Sequence, residues 1–139
     1  MMISTKGRYA LRVILDLAQY SSGRYIPLRD IAERQGISVK YLENILASLS
    51  REGLVDAVRG KGGGYRLSKP PASYTVGEIL RLAEGSLAPV SCLRDGGSGC
   101  ERADDCMTLP LWKDLDKVVS AYLDSVTLAD LMAKDTVGD

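Results

Sequence analysis

Apolar residues recur at helical spacing through the first twenty positions. Ala10, Val13, Ile14, Leu17 and Ala18 form one stripe, which Leu11 and Leu15 widen. Ser4-Thr5 precede the run and Ser21-Ser22-Gly23 follow it, so a helix reaching about Tyr20 is predicted. A short extended piece at Tyr25-Ile26-Pro27 leads into a second helix, Leu28 to Gln35, with Ile31 and Ala32 inward. Gly36 supplies its stop and Ser38 a cap for a third helix. The buried stripe predicted there is Val39, Leu42, Ile45, Leu46 and Leu49. Helix, tight glycine turn, helix is the grammar of a helix-turn-helix.

The pattern then shortens. Leu54-Val55-Asp56-Ala57-Val58 and Gly64-Tyr65-Arg66-Leu67-Ser68 read as two short strands around Arg59-Gly60-Lys61-Gly62-Gly63. Such a glycine-rich, basic loop directly after a helix-turn-helix predicts a hairpin wing. Its backbone can pass close to a sugar-phosphate surface, and Arg59 at the tip suits a narrow minor groove. On the third helix Ser38, Lys40, Tyr41, Glu43, Asn44 and Ser48 are left outside the apolar stripe. Crowded into the first turns, side chains of this type are positioned to meet base edges and phosphates of a DNA duplex.

Pro70-Pro71 ends the wing, and Thr75 can cap a helix from Val76 to Ala83. A loop from about Gly85 to Met107 follows, rich in Gly, Ser and Asp, and holds Cys92, Cys100 and Cys106. Loops of this length usually carry function. Helical spacing returns from about Leu109 to Val126, with Pro110 in the first turn and Leu111, Leu115, Val118, Val119, Tyr122 and Leu123 as the apolar stripe. A long helix outside a compact winged domain must bury that stripe. Packing on a second copy is the natural solution and would suit a palindromic operator; folding back on its own domain is the alternative. A last helical turn is expected at Thr127–Met132.

The fold expected is thus mainly α with a small β-hairpin wing: a winged helix-turn-helix over 1–73, a connecting helix and cysteine loop over 74–108, and a dimerisation helix with tail over 109–139.

Charge sharpens this picture. Net charge is zero, yet residues 1–70 carry 12 Lys/Arg against 6 Asp/Glu while the remainder reverses the ratio. A basic front and an acidic back suit a protein that docks a polyanion at one end. Neither a signal-peptide pattern nor a membrane-length apolar run occurs, so a cytoplasmic location off the membrane is expected. Three cysteines in a reducing compartment point to metal or redox chemistry rather than a disulfide framework. The chain contains no histidine, and no nucleophile–base pairing stands out, which argues against an enzyme.

Several blocks, in this order, resemble the IscR family (the Rrf-two type of winged-helix regulators). They are Ser4-Thr-Lys-Gly-Arg-Tyr-Ala, Pro27-Leu-Arg-Asp-Ile-Ala, Gly36-Ile-Ser, Tyr41-Leu-Glu, Leu54-Val, Arg59-Gly-Lys-Gly-Gly-Gly-Tyr, Val76-Gly-Glu-Ile, the three-cysteine loop and Leu111-Trp112. The resemblance implies a homodimer that binds a double-stranded DNA operator through recognition helix and wing. Carried over by position, the contacts would come from Ser38, Lys40, Tyr41, Glu43, Asn44 and Arg59, with Lys61 beside it on the wing. It also implies an iron–sulfur cluster, typically [2Fe–2S], on Cys92, Cys100 and Cys106, whose occupancy controls promoter choice. One position departs from the pattern: Leu109 stands where the family usually has a histidine three residues after the last cysteine. Asp95, Glu101, Asp104, Asp105, Thr108, a partner subunit or an exogenous donor could complete the site. A zinc site, a metal-free thiol switch and a regulator that binds a cysteine-biosynthesis enzyme are the alternatives.

Overall fold

The computed structural model describes residues 3–93 and 105–137. Its elements run α1 (Thr5–Tyr20), α2 (Leu28–Gln35), α3 (Val39–Arg51), β1 (Val55–Val58), β2 (Gly64–Leu67), α4 (Val76–Glu84), α5 (Leu109–Ser125) and α6 (Leu128–Val137). The strands pair antiparallel, Val55 opposite Leu67 and Val58 opposite Gly64. The architecture is mainly helical with a two-stranded wing, as the periodicity predicts.

Local chemistry fixes the ends of the helices. The Ser4 hydroxyl accepts from the Gly7 N–H to start α1, and Ser38 does the same for α3 through the Tyr41 N–H at 3.2 Å. Gly36 closes α2 with φ +64°, a left-handed conformation that costs glycine little and lets α3 depart sharply. Gly64 has φ +148°, and a Cβ there would strike the backbone of Ile26. That close approach allows Ile26 and Tyr65 to exchange both backbone hydrogen bonds, 2.7 and 2.9 Å, so the extended piece before α2 lies along the wing.

One core joins these parts. Val13, Ile14 and Leu17 of α1 meet Ile31 of α2 and Leu42, Ile45, Leu46 and Leu49 of α3. Tyr74 and Leu128, both wholly buried, belong to the same cluster. The Tyr74 hydroxyl donates to the Leu54 carbonyl at 2.6 Å and accepts from the Ser68 and Lys69 N–H groups, clamping the base of the wing. Its own carbonyl accepts from Leu128 N–H, while Val76 N–H donates to Val126 and Thr75 bridges Thr127. The C-terminal segment is thereby stitched to the foot of the wing.

Two details differ from the sequence expectations. Val39 is 45% exposed rather than buried. It sits in the first turn of α3, beyond the edge of the helices that cover Leu42. The last turn expected at Thr127–Met132 is a ten-residue helix, started by a reciprocal pair in which Thr127 N–H donates to Asp130 and Asp130 N–H to the Thr127 hydroxyl.

The α1–α2 junction is polar. Asp16, with no exposed surface, accepts from Arg34 at 2.9 and 2.7 Å and from Gln35 at 2.8 Å. Burying a carboxylate is tolerable only with such complete pairing. The Arg34 guanidinium also lies 4.2 Å from the Tyr20 ring centroid.

Candidate nucleic-acid interface

α3 and the wing form the two walls of an open cleft. Val39, Ala47, Ser50 and Arg51 line it from the helix; Ala57, Val58, Arg59, Gly60 and Gly63 line it from the hairpin; Pro27, Leu28 and Arg29 close one end. Lys40, Glu43 and Asn44 stand exposed on α3, Glu43 and Asn44 one turn from Ala47 and Lys40 two turns, all on one face by the 3.6-residue period. Arg59 and Lys61 are exposed on the wing, Arg59 lining the cleft and Lys61 a recess on the other side of the hairpin.

The remaining expected contacts are less free. The Ser38 hydroxyl is engaged as the α3 cap. Tyr41 is half-buried, its ring centroid 5.7 Å from that of Tyr9, which leaves only part of the side chain available. Sequence reasoning passed over Val39, Ala47, Arg51 and Arg29. Continuing the exposed stripe of Lys40, Glu43 and Asn44 by i+3 and i+4 reaches Ala47 and Arg51; Arg29 comes close only through the fold.

Four cations among the described residues are engaged in ion pairs outside the cleft. Arg34 pairs with Asp16, Arg66 with Asp56, Lys69 with Glu78 and Arg81 with Asp124. Among the described residues, Lys40, Arg59 and Lys61 have no acidic partner within salt-bridge distance. Unpaired cations around a concave, glycine-lined surface attract a polyanion.

The cysteine loop lies only partly within the described residues. Cys92 and Cys106 are half-buried, and the Cys106 sulfur is 3.3 Å from the Thr108 hydroxyl. Cys100 and the oxygen donors Asp95, Glu101 and Asp104 fall outside the described residues; Asp105 and Thr108 are exposed, and Leu109 opens α5. Among the described residues no group of three Cys, Asp or Glu side chains could hold a metal ion. The thiols of Cys92 and Cys106 and the hydroxyl of Thr108 are donor types that suit a thiophilic metal or cluster.

Among the described residues, α5 packs on the rest of the chain by one side. Leu123 meets Val76, Leu80 and Leu87, and Asp124 pairs with Arg81. Leu111, Leu115, Val118 and Tyr122, spaced 4, 3 and 4 apart, are all exposed, Val118 by 67%. No described helix is long and apolar enough to cross a membrane.

Comparison with known proteins places this arrangement. Residues 3–134 match the Rrf2 family model, described as "Iron-dependent Transcriptional regulator". The HTH-type transcriptional regulator IscR of Escherichia coli O1:K1 / APEC is 42% identical over 139 residues, all of this chain and 85% of that protein. Among solved structures, T. potens IscR superposes with a TM-score of 0.77 at 38% identity, covering 97% of this chain and 88% of that one. CymR, the global cysteine regulator of B. subtilis, superposes with 0.78 at 37% identity, covering 96% and 98%. These matches are to transcriptional regulators, and the chain belongs to the Rrf2 family.

Proposed function

We propose that this regulator binds duplex DNA as a homodimer, with α3 in the major groove and the wing in the adjacent minor groove. The observation that carries the reading is the shared cleft: the α3 face and the wing loop that carries the unpaired Arg59 flank one open surface. Lys40, Tyr41, Asn44 and Arg59 contact phosphates and base edges, with Lys61 on the wing and Ser38 holding the first turn of α3. Glu43 accepts from cytosine and repels phosphate, so it selects sites rather than tightening binding. The exposed α5 stripe buries itself against its symmetry mate, which sets the spacing of two half-sites.

The same reading gives promoter choice to an iron–sulfur cluster of the [2Fe–2S] type, held by Cys92, Cys100 and Cys106 with an oxygen or exogenous fourth ligand in place of histidine. A cluster on these three thiols would supply a redox- and supply-sensitive charge. The chain has no catalytic role, and it works in the cytoplasm. The likeness to CymR supports a second reading, a metal-free regulator of the same fold that responds to thiol state or binds a cysteine-biosynthesis enzyme.

The test is gel-shift titration on a duplex selected by the protein from a random pool, joined to an anaerobic absorption spectrum with iron and sulfide analysis. Salt-sensitive, sequence-selective binding by a coloured protein is expected. Colourless protein that still binds selects the second reading; absence of DNA binding removes both.

A further inference from the structure

Beyond the cleft, the hairpin has a second cationic side. Arg24, Arg29 and Lys61 line a recess between the wing tip and the segment that enters α2, together with the wing glycines and a single carboxylate, Asp30. Arg29 and the wing backbone border both this recess and the α3–wing cleft, so the two form one continuous surface around the hairpin. All three cations are exposed and lack an acidic partner among the described residues.

Their carrier is held in place. Arg66 of β2 donates to the Gly23 carbonyl at 3.1 Å and stacks on the Tyr25 ring at 4.4 Å, so the residues on each side of Arg24 are fastened to the wing. The Ser21 hydroxyl donates to the Arg24 carbonyl, and the Arg24 N–H donates to Ser21, each at 2.7 Å. A cation on a pinned turn loses less conformational freedom on binding than one on a loose loop.

We infer that Arg24 and Lys61, on the side of the wing facing away from α3, form a phosphate clamp, with Arg29 at the junction of recess and cleft. It grips the DNA backbone across the minor groove from the segment that α3 reads. This rests on the DNA-binding reading above and adds a contact surface to it. The clamp holds no base-reading side chain, so it raises affinity for every sequence equally and extends the protected backbone without changing the preferred site.

The experiment uses the full chain with Arg24→Ala/Lys61→Ala, the two cations that border the recess and not the cleft, and a duplex selected by the wild type from a random pool, alongside a scrambled duplex of equal length. Both substituted side chains are exposed, and a matching circular-dichroism melt verifies the fold; Arg24→Gln/Lys61→Gln serves as a second variant. The expected results are weaker binding on both duplexes by the same factor and a log–log salt slope shallower by about 2. Phosphate ethylation interference should fade only on the backbone beyond the wing. An unchanged slope, or interference lost within the segment read by α3, overturns the clamp. Wild-type protein that binds neither duplex overturns the DNA-binding reading itself.

Discussion

Arg81 on α4 and Asp124 on α5 meet in a two-point ion pair, Nη1 to Oδ1 at 2.7 Å and Nη2 to Oδ2 at 3.0 Å. It joins the helix that leads into the cysteine loop to the helix that leaves it. The Arg81 guanidinium holds the Asp124 carboxyl below its ordinary range, and Asp124 in turn raises Arg81. Because the carboxyl is more acidic in the folded state, its contribution is complete at neutral pH and fades as pH falls through the lowered value. Both side chains are substantially exposed, so the pair contributes less than about 1 kcal/mol. Asp124→Asn should therefore narrow the stability gap between neutral and strongly acidic pH in urea titrations, with little loss at pH 7. An unaltered gap would show that the pair does not couple to folding.

Removing Arg34 should be far more damaging than removing the exposed pair. Its loss leaves the wholly buried Asp16 carboxylate with Gln35 alone, and orphaning a buried charge costs about 3–5 kcal/mol. Arg34→Ala should lower the urea midpoint steeply. A shift no larger than that of Asp124→Asn would mean that water reaches Asp16.

On the reading surface, opposite signs predict opposite outcomes. Arg59→Ala should cost about 1–3 kcal/mol of binding if the guanidinium enters the groove. Glu43→Ala should leave affinity equal or higher while relaxing discrimination at one base pair, which parallel selections with both proteins would reveal. Equal consensus sites from the two proteins would take Glu43 out of readout.

The exposed α5 stripe predicts association. Val118→Glu places a charge at the middle of Leu111, Leu115, Val118 and Tyr122, where it disturbs nothing within a protomer but cannot be buried against another. Sedimentation equilibrium should give a dimer for the wild type and a monomer of unchanged helicity for the variant. A variant that remains dimeric would place the contact elsewhere.

Much of this molecule is legible in the chain because its signals are local. Ser4, Gly36 and Ser38 mark helix ends through contacts three or four residues away, and the wing announces itself by composition. What escaped depends on distance along the chain. The carboxylate of Glu84 accepts from both the N–H and the hydroxyl of Ser4, 80 positions earlier, and no window of sequence contains that pair. Val39 keeps the period of the buried stripe, yet no described residue covers it above the first turn of α3. Arg29 reads as an ordinary exposed residue of α2 until folding brings the hairpin beside it. The capping pair Thr127/Asp130 is local and was available as a signal for the longer α6.

The burial of Leu128 beside Tyr74 has a bearing on modularity. The hydrophobic interior under the DNA-reading half is finished by a residue from the far end of the polypeptide. A fragment stopping at residue 73 would carry an opening where a leucine belongs, at a cost of about 2–5 kcal/mol, before any loss from the missing tyrosine. Reader and arm are thus a single heritable piece: neither can be exchanged like a cartridge, and drift in the tail is answerable to the integrity of the head.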